Sequence, residues 1–390
     1  MLSSDQVKDF IEFEKNNIIS LLKELVLIDS GSHNFSGIMD VAKVVITELE
    51  ALGFNNTVYE FQQAGPNLVS EIKGESNKSI ILLGHMDTVF DSNAQDLNPF
   101  RKESGKIYGP GVLDMKGGIV QIINAVKALL YLNKQKYGIK IILVGDEESG
   151  HLHSNALDLF KAESQDALAV FCCESGRTNN QIVLERKGVG TLTVEVKGRS
   201  AHPGNELAAG RNAIAELSRQ IVKIHSQYTD PQADLTASIG IIEGGTTVNV
   251  VPDRAKGIFD IRFKQDKSLK DFLKFTNDLA AQPHQDNLET ETIYINEYPP
   301  MAKTAESEKL LHFVSHLSKN NGFGALKAIA VGGGADSTFF SASGIPTVCS
   351  FGPVGKNAHT YDEFIYEKDF FDRIILLADC LLNIDLAELN

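Results

Sequence analysis

Positive charge is scarce in this 390-residue chain: 37 Lys and Arg stand against 51 Asp and Glu, a formal net charge of −14. Nucleic acids and anionic membranes recruit clustered cations, so neither is expected as a partner. Cysteine is equally sparse. Four residues make no disulfide framework, and the adjacent Cys172 and Cys173 suit a reduced pair in a buried strand. Long apolar runs are missing too. The longest extend about five or six residues, far below the ~20 that span a bilayer. Met1 to Ser20 mixes acidic and basic side chains without the apolar core of a signal peptide. A soluble, cytoplasmic protein is therefore expected. No Gly-x-Ser-x-Gly elbow supplies a serine nucleophile. The glycine-rich stretch 331–337 (VGGGADS) lacks the Gly-Lys-Ser/Thr of a phosphate loop. Its backbone N–H groups, at Gly333 and Gly334, suit a carboxylate better. Internal repeats and low-complexity tracts are absent.

What is present suggests two or three domains with an ordinary core, 43% of residues being hydrophobic. Apolar spacings of three and four predict amphipathic helices over 6–28 and 36–53. Short apolar runs that stop abruptly, at 79–84, 139–145, 167–173 and 345–351, read as strands buried on both faces of a mostly parallel sheet. Helical patterns at 117–132 and 154–161 lie between them, so a doubly wound α/β domain is expected. From about residue 181 the texture changes. Residues 190–198 alternate with period two, and the order that follows is helix (208–226), strands (235–242 and 256–263), helix (269–281) and strand (290–296). This β-α-β-β-α-β order is that of a ferredoxin-like α+β unit. The expected organisation is a discontinuous larger domain, 1–188 and 299–390 with a last helix at 368–386, carrying an inserted domain at 189–298.

Ligands of open parallel sheets bind beyond the carboxyl ends of the strands. At those ends stand His85 and Asp87, then Glu147 and Glu148, then Glu174, then His359 after a short loop. Asp114 stands just before the 117–132 helix, in an N-cap-like position. Imidazoles and carboxylates converging on one site suit zinc. Asp87, two residues beyond His85, can reach the far ring nitrogen and fix its tautomer. Of the neighbours Glu147 and Glu148, one can bind metal while the other faces water as general base. His151 and His153 form a rival pair, expected on the surface at a helix start. His312 and His316 have the spacing of a zinc-protease helix, but Phe313 stands where that motif requires Glu.

The segments GHMDTV (84–89), YGPGVLDMKGG (108–118), GDEESG (145–150), CESG (173–176), RSAHPG (199–204), VNVVP (248–252), GGGADS (332–337) and His359 together resemble the co-catalytic zinc amidohydrolases. That family includes glutamate carboxypeptidase, aminoacylase, acetylornithine deacetylase and succinyl-diaminopimelate desuccinylase, and the match runs from about residue 20 to 385. The resemblance implies two Zn2+ per subunit, with Co2+ or Mn2+ as substitutes. One metal would take His85 and Glu174, the other Glu148 and His359, with Asp114 bridging. Glu147 would be the general base, Asp87 would orient His85, and the Asp114–Met115 peptide would be cis. The inserted domain would serve dimerisation, making a homodimer in which His202 reaches the neighbouring subunit's oxyanion. Asn249, Arg262, Gly333 and Gly334 would bind substrate. Glu174 at the fourth ligand position, Phe90, Pro99-Phe100 and the GGGAD loop look most like the glutamate carboxypeptidase branch. That branch implies release of a C-terminal amino acid from a small peptide or N-acyl amino acid by zinc-bound hydroxide. The alternatives are an N-acyl-amino-acid deacylase and, more remotely, a non-catalytic zinc-stabilised binding dimer, which would have no use for Glu147.

Overall fold

The computed structural model describes residues 4–90 and 93–384; the end of the expected last helix, 385–386, lies outside them. The described residues form two compact units. The larger lies within Met1–Glu185, Lys303–Ala330 and Ala335–Asn390, and the smaller comprises Arg186–Ala302 with Val331–Gly334.

The larger unit is built on a six-stranded sheet in the order Asn55–Tyr59, Asn67–Ile72, Gly138–Val144, Ser79–His85, Ala167–Cys172, Thr347–Val348. The last four strands are parallel, and the first two form an antiparallel extension. The sheet is thus mostly parallel, as the uninterrupted apolar runs predict. Strand Ser79–His85 is buried at every position, which is why its sequence shows no alternation. Helices Ser4–Leu27, Lys116–Tyr131 and Glu367–Asn383 pack against one another and share a core with the sheet that includes Leu22, Ile119, Phe171 and Phe370. The expected strand at 345–351 shrinks to Thr347–Val348. Ser350 adopts a left-handed backbone, φ 58°, which turns the chain out of the extended region.

The smaller unit is a four-stranded antiparallel sheet in the order Leu235–Gly244, Arg254–Phe263, Gly188–Lys197, Glu289–Tyr298. Helices Ala213–His225 and Asp266–Ala280 complete a β-α-β-β-α-β succession. Leu192, Val194 and Val196, alternate residues of one strand, meet Leu217, Phe259 and Phe272 in its core, so period-two patterning is explained by a one-sided sheet. Among the described residues, no helix of either unit is long and apolar enough to cross a membrane.

Candidate metal centre

Parallel strands deliver their C-terminal ends to one edge of the sheet, and the ionisable residues gather there. His85 ends its strand, and Glu147 and Glu148 occupy the 3-10 turn Glu147–Ser149 just after strand Gly138–Val144. Glu174 lies two residues past strand Ala167–Cys172. His359 comes from a loop, with a left-handed backbone, φ 63°. Asp114 precedes helix Lys116–Tyr131, but its carboxylate caps nothing. The N-cap residue is Met115, without a side-chain cap, and the Asp114–Met115 peptide is cis.

Two trios of donor atoms result, His85–Asp114–Glu174 and Asp114–Glu148–His359, each with its atoms within 4.8 Å of one another. Asp114 belongs to both. Its Oδ1 is 3.3 Å from His85 Nε2 and its Oδ2 is 3.3 Å from His359 Nε2. Glu174 Oε1 lies 3.4 Å from His85 Nε2, and Glu148 Oε1 3.5 Å from His359 Nε2. Glu147 belongs to neither trio. Glu148 Oε1 is buried without a hydrogen bond. Such an atom, in a set of imidazole nitrogens and carboxylate oxygens, fits a pair of divalent ions of the zinc type.

The supporting contacts differ in detail from expectation. His85 Nδ1 is 3.0 Å from the backbone oxygen of Asp87 and 3.4 Å from its carboxylate. That carboxylate is fully buried and accepts the N–H groups of Glu147 (3.2 Å) and Glu148 (3.1 Å) and the Ser32 hydroxyl (2.7 Å). Asp87 therefore holds the turn that presents the two glutamates. Glu363, which sequence reading passes over, does the same for the Asp114 loop. Its buried carboxylate accepts N–H groups from Gly111 (2.7 Å), Leu113 (2.7 Å) and Asp114 (2.9 Å). Lys116, also unforeseen, is buried and donates to the Ile28 carbonyl at 2.6 Å. A cavity of about 760 Å3 adjoins Glu148 and is lined by Asp29, Ser32, His33, Asn34 and Phe90 among others.

Electrostatics follow from burying so many charges together. Burial acts to lower the pKa of His85, but hydrogen bonds to Asp114, Asp87 and Glu174 outweigh it and hold the ring well above its ordinary value. Burial acts to raise Asp114, yet His359 and His85 bring it far below the usual carboxylate range. Burial, with further repulsion from Glu174, Asp336 and Glu148, lifts Glu147 well above that range despite the opposing His85. Burial likewise pushes Glu148 up to about 8.

His151 is not on the surface as its polar surroundings suggest. It is buried, 3.2 Å from Asp146 and 2.6 Å from Asp336. Burial favours the neutral ring, but the two carboxylates prevail and raise its pKa well above the ordinary value. His312 and His316 lie exposed on helix Ala305–Asn320. All four cysteines are buried and outside any disulfide.

The remaining candidates belong to the smaller unit. His202 Nδ1 accepts the N–H groups of Gly204 (3.1 Å) and Asn205 (3.2 Å), which leaves the neutral ring's proton on Nε2. Arg262 grips Asp260 through Nε and Nη2 at 2.7–3.1 Å. Asn249 is exposed. Gly333 and Gly334, expected in the larger domain, group with the smaller unit, and their carbonyls accept Arg186 Nη1 at 2.8 and 3.0 Å.

Residues 81–383 match the family model described as peptidase family M20/M25/M40. The chain is 28% identical over 353 residues to carboxypeptidase G2 of Pseudomonas sp. strain RS-16, covering 89% of this chain and 84% of the relative. It is 26% identical over 379 residues to succinyl-diaminopimelate desuccinylase of Rhodospirillum centenum, covering 91% and 94%. A tripeptidase from Staphylococcus aureus superposes with a TM-score of 0.78 at 23% identity, over 94% of this chain and 98% of that one, a likeness of fold.

Proposed function

The chain belongs to peptidase family M20/M25/M40, hydrolytic metalloenzymes, and from that premise we propose that it removes a C-terminal amino acid, glutamate first among candidates, from a small peptidyl or N-acylated substrate. The observation that carries the reading is the shared Asp114 between two donor trios with Glu147 outside both. His85 and Glu174 would hold one Zn2+, Glu148 and His359 the other, and Asp114 both. When bound, the ions supply Lewis acidity toward a scissile carbonyl and toward water. Glu147 takes the proton of the attacking water as its oxygen bonds to the carbonyl carbon. It returns that proton to the amide nitrogen as the C–N bond breaks.

His202 donates to the developing oxyanion through Nε2–H, across a homodimer. Support for a second copy comes from strand Leu235–Gly244, which lies at the edge of its sheet with Ile241 and Ile242 exposed. Asn249 and Arg262 bind the substrate carboxylate, Arg262 exchanging part of its grip on Asp260, and Gly333 and Gly334 border it. A cytoplasmic location accords with four buried cysteines outside any disulfide.

The desuccinylase relative favours a second reading, an N-acyl-amino-acid deacylase using the same centre. A panel of dipeptides and N-acyl amino acids, scored for free glutamate against free acyl acid, separates the two. Glu147→Gln should lose roughly 10²–10⁴-fold in turnover while keeping two metals per chain by elemental analysis. Loss of a metal from Glu147→Gln, with both retained by Glu148→Gln, would reverse the assignment.

A further inference from the structure

Outside the two donor trios, three buried ionisable groups form a continuous chain. Asp146, which directly precedes Glu147, points its carboxylate away to His151 Nδ1 (3.2 Å) and the Ser154 hydroxyl (2.9 Å). The opposite ring nitrogen of His151 lies 2.6 Å from Asp336, the N-cap residue of helix Ser337–Ala342. The ring stands edge-on to Phe160, centroids 5.7 Å apart. Its backbone closes the turn, His151 N–H donating to the Asp146 carbonyl at 3.1 Å with φ 57°.

Both ring nitrogens face carboxylate oxygens. With both acids ionised, each nitrogen must carry a hydrogen, so the group that fits is an imidazolium. No neutral side chain donates in two opposite directions at this spacing. The second oxygens of Asp146 and Asp336 are buried without hydrogen bonds. The bridge therefore carries most of what compensates the two buried charges, and removing it affects both ends.

We propose that His151 is a positioning residue for Glu147: as a cation held between Asp146 and Asp336, it pins the 146–151 turn to the start of helix Ser337–Ala342 and so fixes where the Glu147 carboxylate points. Asp87 holds the same turn through the Glu147 and Glu148 N–H groups. His151 supplies a second anchor, on the residue before them. This inference rests on reading Glu147 as the general base.

The test is a double-mutant cycle in the metal-loaded enzyme, on whichever substrate the panel identifies. His151→Gln should lower kcat about 10- to 100-fold, the range for a displaced catalytic group, with KM within about threefold and metal content unchanged. In the Glu147→Gln background the same change should cost less than about twofold, because a residue acting through Glu147 has nothing left to position. A kcat within about threefold of wild type, or equal fold losses in both backgrounds, overturns the proposal. Where His151→Gln does not fold, the isosteric Asp336→Asn keeps the ring and its Asp146 bond and must show the same non-additive loss; an additive loss there overturns the proposal equally. Full turnover by Glu147→Gln alone sinks the base assignment and this inference with it. An inactive Glu147→Gln with additive His151 effects sinks only the inference.

Discussion

Asp87→Asn tests what the Asp87 carboxylate does. In the structure its two oxygens receive the Glu147 and Glu148 N–H groups and the Ser32 hydroxyl, whereas His85 Nδ1 approaches the backbone oxygen more closely, at 3.0 Å, than the carboxylate, at 3.4 Å. An amide has the same shape but only one acceptor oxygen. Its NH2 end must face a backbone N–H, so one charge-assisted hydrogen bond is lost and one buried donor is left unpaired, together about 2–4 kcal/mol. That is a local cost, borne by the 147–149 turn. Hydrogen exchange at the Glu147 and Glu148 amides should accelerate by roughly 30- to 900-fold if opening of the turn governs it. His85 keeps its backbone partner, so the His85–Glu174 side should be spared. In a His359→Ala background, which disables the other side, Co2+ titration followed by visible absorption should show Asp87→Asn within about threefold of its parent. If instead Asp87→Asn weakens that remaining site tenfold or more while exchange of the two amides is unchanged, the carboxylate acts on His85 and the reasoning fails.

Two further outcomes follow from packing and charge. Glu216 is fully buried beside Arg219 and His284; burial acts to raise its pKa, but hydrogen bonds from Arg219, His284 and Gln220 bring it down to about 2. A folded pKa depressed from about 4.5 contributes stability that is complete above pH ~4.5 and is lost as pH falls toward 2, about 3 kcal/mol in all. Glu216→Gln should thus be less stable than wild type in urea at pH 7, with a gap that narrows by more than a third at pH 3; a pH-independent gap would refute the assignment. Gly118→Ala would ordinarily stabilise a helix by about 0.5–1 kcal/mol, but a Cβ there meets the Cys173 carbonyl oxygen at 2.2 Å, one residue before Glu174. Destabilisation by roughly 1–3 kcal/mol with reduced metal retention is expected, and a variant at least as stable as wild type with full metal would contradict the packing.

The candidate ligands were legible because of one geometric rule. Parallel strands end on the same edge, so His85, Glu148 and Glu174, each following an abrupt end to an apolar run, could be grouped without knowing the strand order. Residues whose meaning lies in distant partners were not legible. Glu363 accepts from Gly111, 252 residues away, and nothing local distinguishes it from a solvated acid. His151 sits in a polar string that looks like a surface turn, and only Asp336, 185 residues away, draws it inward. Strand Asn55–Tyr59 escaped because its NNTVY sequence is an exposed edge rather than an apolar run. The Asp114 cap failed for a different reason: its carboxylate is engaged by two histidines and is not available to the helix.

The interruption of the larger unit by the smaller has a consequence for biosynthesis. His85, Asp114 and Glu174 all lie in the first segment of that unit, whereas His359 and its neighbour in sequence Glu363 lie in the last. On the ribosome, one donor trio is therefore complete before the smaller unit emerges. The second trio, and the carboxylate that braces the Asp114 loop, must wait until translation has passed through it. At ~5–20 residues per second that interval is about 10–40 s, during which the nascent chain presents four of the shared centre's five donor residues, His359 alone being absent. A divalent ion captured early would be bound by one trio alone, and the choice of metal would be exposed to whichever ion the nascent chain meets first.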